Sequence, residues 1–194
     1  MIDVVLGRIV ALQVQREPLK VRGDGYDPRP ILAGEEATID SGGMLLHHDD
    51  GWVVDAHHAA HPRARGGGNR ALSIGFTGHY RQMEDRFGSA RLGCGGENVI
   101  IETDGTVTQA DLEGAVVIRG ESREVELTNA RVAAPCAEFT SFLLGLDRVM
   151  SRGELGDDIA FLDGGMRGFI LDVSHLEGPA TLRAGDEVVV RPGG

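Results

Sequence analysis

Twenty-nine glycines among 194 residues, with no collagen-like period, constrain this chain more than any other feature. That is about twice the ~7% of average proteins. Glycine serves tight turns and weakens helix interiors, so a chain this rich in it is best built from short strands joined by turns. The runs between the glycines agree. Val4 to Val14, Ala37 to Asp40, Ala71 to Phe76, Glu97 to Thr103, Ala115 to Arg119, Arg123 to Leu127, Gly168 to Val173 and Asp186 to Arg191 all read as strands. Val4 to Val14 is long enough for a barrel wall. Pro18, Gly23, Asp24, Gly25, Pro28 and Pro30 mark a loop or a pair of edge strands, and His47 to Asn69 reads as irregular.

Two stretches depart from the strand pattern. Phe76, Tyr80, Met83 and Phe87 fall on one helical stripe, with Thr77 placed as N-cap and Gly88 as the C-terminal stop. Phe139, Phe142, Leu143 and Leu146 repeat at helical spacing just after Cys136. The expectation is a mainly β fold with two or more peripheral helices, in a single domain over residues 1–194. Hydrophobic residues at 41% and charged residues at 25% suit a packed globular chain of this length.

Charge and composition remove several classes of partner. A formal net charge of −11 disfavours nucleic acid and anionic membrane surfaces, which select clustered Lys and Arg; Lys20 is the only lysine. No apolar run approaches the ~20 residues that span a bilayer. Met1 to Val5 lacks the basic start of a signal peptide. Two cysteines do not make a disulfide framework, and the expected compartment is the cytoplasm.

The chemistry-bearing residues fall into three groups. Cys136 follows Pro135 and precedes a helix start, where unpaired N–H groups favour thiolate. A free cysteine is otherwise a small core hydrophobe, so both roles stand. Cys94, in Gly93-Cys94-Gly95-Gly96-Glu97-Asn98, is either the filling of a tight turn or a resolving thiol. His47, His48, His57, His58 and His61, with Asp49, Asp50 and Asp55, invite a metal, which makes a metal-dependent hydrolase on His47–His61 one function to test. Pro62 disfavours helix at His61, and the Glu of His-Glu-x-x-His is absent. Arg63, Arg65 and Arg70 flank Gly66, Gly67 and Gly68, which form either a phosphate cradle or a solvated turn.

The interval from Gly88 to Phe142, with Gly95-Gly96-Glu97-Asn98 and then Pro135-Cys136, resembles the MOSC family, named for the C-terminal domain of molybdenum cofactor sulfurases. The resemblance extends from about Gly7 to Pro192 and includes Gly168 to Val173 and Leu182 to Val188. It implies a twisted β-barrel with peripheral helices. It implies that Cys136 either accepts sulfane sulfur or ligates molybdenum of a pterin cofactor that reduces N-hydroxylated substrates. Glu97 and Asn98 match the family's Glu-Asn, and would order the thiol loop, bind a pterin edge or cap neighbouring backbone. Asp55, a histidine of the His57, His58 and His61 set (His58 is taken as the pocket residue), and Gly67-Gly68 followed by Arg70-Ala71 approximate its Asp, His-Gly-Gly and basic-Ala order. Pro62 to Gly66 separate the histidines from the glycines. Arg65 and Arg70 would then take the cofactor phosphate. The implied partners are a cysteine desulfurase, carrying the pyridoxal phosphate itself, or an electron-donor protein. A non-catalytic binding module on the same barrel is the remaining alternative.

Overall fold

A computed structural model gives the architecture and describes residues 2–21, 25–49, 51–64, 72–121 and 123–193. The strands are β1 (Val4–Gln15), β2 (Lys20–Val21), β3 (Gly25–Tyr26), β4 (Ile31–Gly34), β5 (Glu36–Asp40), β6 (Gly43–His48), β7 (Gly51–Val54), β8 (Leu72–Phe76), β9 (Val99–Ile101), β10 (Ala115–Arg119), β11 (Glu124–Val132), β12 (Phe169–Asp172), β13 (Ala180–Arg183) and β14 (Glu187–Arg191). The helices are α1 (Thr77–Phe87), α2 (Ala137–Leu143) and α3 (Gly156–Leu162). The fold is mainly β, as the glycine-punctuated runs predict.

Seven strands close into a barrel in the order β14-β10-β11-β12-β8-β9-β1, sealed by the β1–β14 pairing. Closure leaves these strands without a free edge. The twelve-residue β1 makes closure possible by bonding three neighbours in turn. Its start pairs with β14, its middle with β9 and its end with β4, with register shifts between Val5 and Gly7 and between Ile9 and Ala11. Such bulges bend a strand and strengthen its twist. A smaller sheet, β13-β5-β6-β7, packs beside the barrel. Strands β8 and β9 are parallel, so the chain must cross back between them, and α1 is part of that crossover.

The barrel interior is an apolar core that includes Ile9, Leu12, Ile74, Phe76, Leu127, Phe169 and Val188. A second apolar cluster lies outside the wall. Val99 and Ile101 of β9 point into the barrel, whereas Ile100 points out, beneath Tyr80 and Met83 of α1, Phe139 and Leu143 of α2 and Leu162 of α3. This period-two split explains why β9 is buried on both faces. Both cysteines belong to the outer cluster.

Several elements differ from their expected limits. Helix α1 runs from Thr77 to Phe87 and ends on Gly88 at φ 70°, whose N–H donates to the Glu84 carbonyl. Phe76, not Thr77, occupies the N-cap, because the Thr77 hydroxyl is spent on the Thr103 backbone. The segment from His47 is not wholly irregular: β6 and β7 form a hairpin with His47 opposite Trp52 and His48 opposite Gly51. Residues from Pro18 onward do form paired edge strands, with Lys20 opposite Tyr26. Helix α3 carries only two buried side chains, Ile159 and Leu162, too short a stripe to read in the sequence. Arg86 holds it to α1, with Nη2 2.7 Å from Asp158 Oδ1 and its guanidinium 4.7 Å above the Phe161 ring. Among the described residues no helix is long and apolar enough to cross a membrane.

His79 of α1 is expected to make the fold pH-sensitive. It is fully buried, its Nε2 accepts the Val107 N–H at 2.8 Å, and burial pushes its pKa below the ordinary value. The unfolded chain therefore binds this proton at higher pH than the folded one. The His79 contribution is fully present above about pH 6.5 and is lost as the pH falls below it. Urea titrations at pH 5 and pH 8 are expected to show a smaller acid loss for His79→Gln than for the wild type. Equal losses in the two proteins would remove His79 as the cause.

Candidate functional site

Cys136 ends the segment that leaves β11. Its path is pinned at both ends: the Ala133 N–H donates to the Gly168 carbonyl, and Arg152 Nη1 donates to the Pro135 carbonyl at 3.1 Å. The residue has extended backbone and caps α2, whose Thr140 returns both its N–H and its hydroxyl to the Cys136 carbonyl. The residue is 9% exposed and belongs to the outer cluster. Beside it, the Glu138 carboxyl is held below the usual carboxylate range, first by its own backbone N–H, then by the Cys136 thiol and the charge of Lys20. Lys20 Nζ lies 3.8 Å from Glu138.

Glu97 and Cys94 reach the same region from the glycine loop before β9. The Tyr80 hydroxyl donates to Glu97 Oε2 at 2.6 Å and accepts the Gly95 N–H at 2.9 Å. Burial raises the Glu97 pKa. Cys94 accepts the Tyr26 hydroxyl on its carbonyl at 2.8 Å. Burial, with the Glu97 charge second, pushes the Cys94 thiol up to about 12. Cys94 is therefore a protonated thiol at neutral pH, chemically unlike a nucleophile.

Asn98 turns the other way. Its Nδ2 donates to Asp55 Oδ2 at 3.0 Å and to the Gln13 carbonyl at 3.2 Å. Its Oδ1 accepts the Ser73 N–H and hydroxyl. Asp55 is wholly buried and equally saturated. Oδ1 accepts the His57 N–H and ring Nδ1–H, and Oδ2 accepts the Gln15 N–H and the Asn98 amide. With about four acceptor sites on a carboxylate, none is left for a ligand. His58 accepts the Ala60 N–H on Nδ1 and donates from Nε2 to Asp40, while His61 accepts the Arg63 N–H and donates to the Arg16 carbonyl. Among the described residues no three His, Cys, Asp or Glu side chains converge on a metal position. Arg65, Gly67, Gly68 and Arg70 lie outside the described residues.

The structure thus gathers Cys136, Cys94 and Glu97 in one outer region and ties Asp55 to Asn98 in another. Sequence reasoning missed Arg167, which stands among the first set. Its Nη2 donates to the Gly95 carbonyl at 3.0 Å, its guanidinium lies 4.8 Å over the Phe139 ring, and it senses the charges of Tyr26, Glu97 and Cys136. The one local signal was an arginine between Gly165 and Gly168 at the mouth of a buried strand.

No protein-family model matches the chain, and no curated protein matches it. Solved structures do. The YuaD protein of Bacillus subtilis aligns over 98% of this chain and 96% of its own, at 16% identity and TM-score 0.53. A hypothetical protein aligns over 95% of this chain and 69% of its own, at 14% identity and TM-score 0.55. YiiM from Escherichia coli aligns over 91% of this chain and 71% of its own, at 15% identity and TM-score 0.49. The likeness is one of fold: the barrel is similar to that of YuaD, a MOSC-domain protein.

Proposed function

We propose that this barrel is a sulfur carrier in which Cys136 accepts one sulfane sulfur and delivers it to a metal centre. The observation that carries the reading is the contrast in occupancy. Asp55, His58 and Asn98, the described candidates for a larger ligand, are saturated inside the chain, whereas Arg167, near enough for the Cys136 charge to act on it, keeps an unpaired Nε. A single sulfur atom needs little more than a thiolate and a counter-charge. In the transfer, the Cys136 thiolate attacks the outer sulfur of a donor persulfide R–S–SH. The donor S–S bond breaks, R–S⁻ leaves with the electron pair, and Cys136 becomes Cys–S–SH. The pyridoxal chemistry that generates such a donor belongs to a partner desulfurase.

Molybdenum ligation uses the same thiol. Among the described residues the fit to a pterin cofactor stops at Cys136, so no step is routed through it. A metal-dependent hydrolase lacks a converging ligand set among the described residues.

The test is sulfur loading from a desulfurase and cysteine, read by peptide mass spectrometry. Cys136 is expected to gain the mass of one sulfur. Cys136→Ser is expected to lose about 10³-fold or more of the transfer, as for other nucleophile deletions, while Cys94→Ser keeps it. Full loading of Cys136→Ser would sink the reading, and absence of loading in the wild type would leave the bare binding module.

A further inference from the structure

Arg167 is a cation in an unusual position. Its Nε is closed off from solvent and has no hydrogen-bond partner. An orphaned buried donor is destabilising, and an uncompensated buried charge more so. Among the described residues Arg167 forms no ion pair, although the Glu97 charge is near enough to act on it. The other groups around it are weak counter-ions. Tyr26 is held neutral by burial, Tyr80 likewise, and Cys94 stays protonated. Glu97 is committed to the Tyr80 hydroxyl, and its own pKa is raised. Glu138 faces Lys20. The guanidinium is fixed by the Gly95 carbonyl, by the Tyr26 hydroxyl oxygen and by the Phe139 ring, three residues after Cys136. A planar cation held this way keeps its Nε–H without an acceptor.

We propose that Arg167 is an anion seat beside Cys136, and that the sulfur donors used there are small sulfane anions, of which thiosulfate is the simplest. The unpaired Nε–H receives an oxygen of the donor's anionic end, which places the sulfane sulfur toward the thiol. The Cys136 thiolate forms a bond to that sulfur. The S–S bond of thiosulfate breaks, and sulfite leaves with the electron pair: Cys–S⁻ and S₂O₃²⁻ give Cys–S–S⁻ and SO₃²⁻. Arg167 then faces the anionic persulfide it helped to form. This inference rests on the reading of Cys136 as the reactive thiol and adds the charge of its substrate.

The experiment compares alkylation of Cys136 by iodoacetate, an anion, with alkylation by iodoacetamide, its neutral analogue, at one pH. The ratio of the two rates cancels thiol exposure and thiolate content and retains the attraction of the site for negative charge. In the folded wild type the ratio is expected to exceed that of the urea-unfolded chain about tenfold. It is expected to fall to the unfolded level in Arg167→Met and to be partly kept in Arg167→Lys. Thiosulfate is expected to load one sulfur on the wild type and at least about tenfold less on Arg167→Met. A ratio equal in folded and unfolded wild type overturns the anion seat even if the variants fail to fold. Cys136 inert to both reagents in the folded protein overturns the underlying reading instead.

Discussion

Asp55→Ala is expected to lower the unfolding free energy by about 3–5 kcal/mol, enough to abolish soluble protein at 37 °C. The side chain is 0% exposed and its two oxygens collect the Gln15 N–H at 2.7 Å, the Asn98 amide at 3.0 Å, the His57 N–H at 2.8 Å and the His57 ring. These donors come from the end of β1, the head of β9 and the turn after β7. Truncation leaves two buried donors with nothing to meet, and each such orphan costs about 1–3 kcal/mol. Asp55→Asn keeps the volume but turns one acceptor into a donor, which opposes the Gln15 N–H or the His57 N–H. It is expected to be destabilising by about half as much. Denaturant melts of both variants check this. A ligand-binding defect with wild-type stability would show instead that Asp55 serves a ligand.

Gly168→Ala is expected to be comparably damaging, at about 4 kcal/mol, from two independent causes. The residue sits at φ +92°, where a Cβ costs about 1–2 kcal/mol. That Cβ would also lie 2.3 Å from the Ile74 carbonyl oxygen and 3.4 Å from Glu97 Cγ, an overlap worth about 1–3 kcal/mol. The obstacle is backbone of β8, hydrogen-bonded to β12 and unable to step aside. Gly88→Ala is the control: φ is +70°, but no atom lies within reach of a new Cβ, so it should lose only about 1 kcal/mol. Chemical denaturation of the pair separates strain from collision. Equal losses would mean that the clash relaxes away.

The fold was legible because glycine, proline and aspartate bracket the Val/Ile runs, and because a strand as long as β1 has few homes outside a barrel wall. The helix after Gly75 was legible from the Tyr80, Met83 and Phe87 spacing and from the glycine that stops it. The limits at its N-terminus were not, since Thr77 chooses between capping and a distant carbonyl, a choice that depends on where Thr103 lies. The candidate site divides the same way. Cys136 and Glu97 could be singled out from local motifs. What each polar side chain meets depends on partners far along the chain: Glu97 meets Tyr80 of α1, and Asn98 meets Asp55. Arg167 carries no local mark beyond its place between Gly165 and Gly168: it is 31 residues past the cysteine and gains significance through packing on Phe139.

Placing the thiol outside the wall, under helices of seven residues each, separates two kinds of stability in one chain. Helices this short do not persist alone and are held by their packing. The barrel strands hold one another through a closed hydrogen-bond ring. The cover over Cys136 can therefore loosen while the ring stays shut, so reagents meet the sulfur at a cost set by the cover rather than by unfolding. Amide exchange should accordingly run fast in α2 and α3 and slowly in β1 and β9, and the sulfur chemistry can be tuned in the helices without touching the wall.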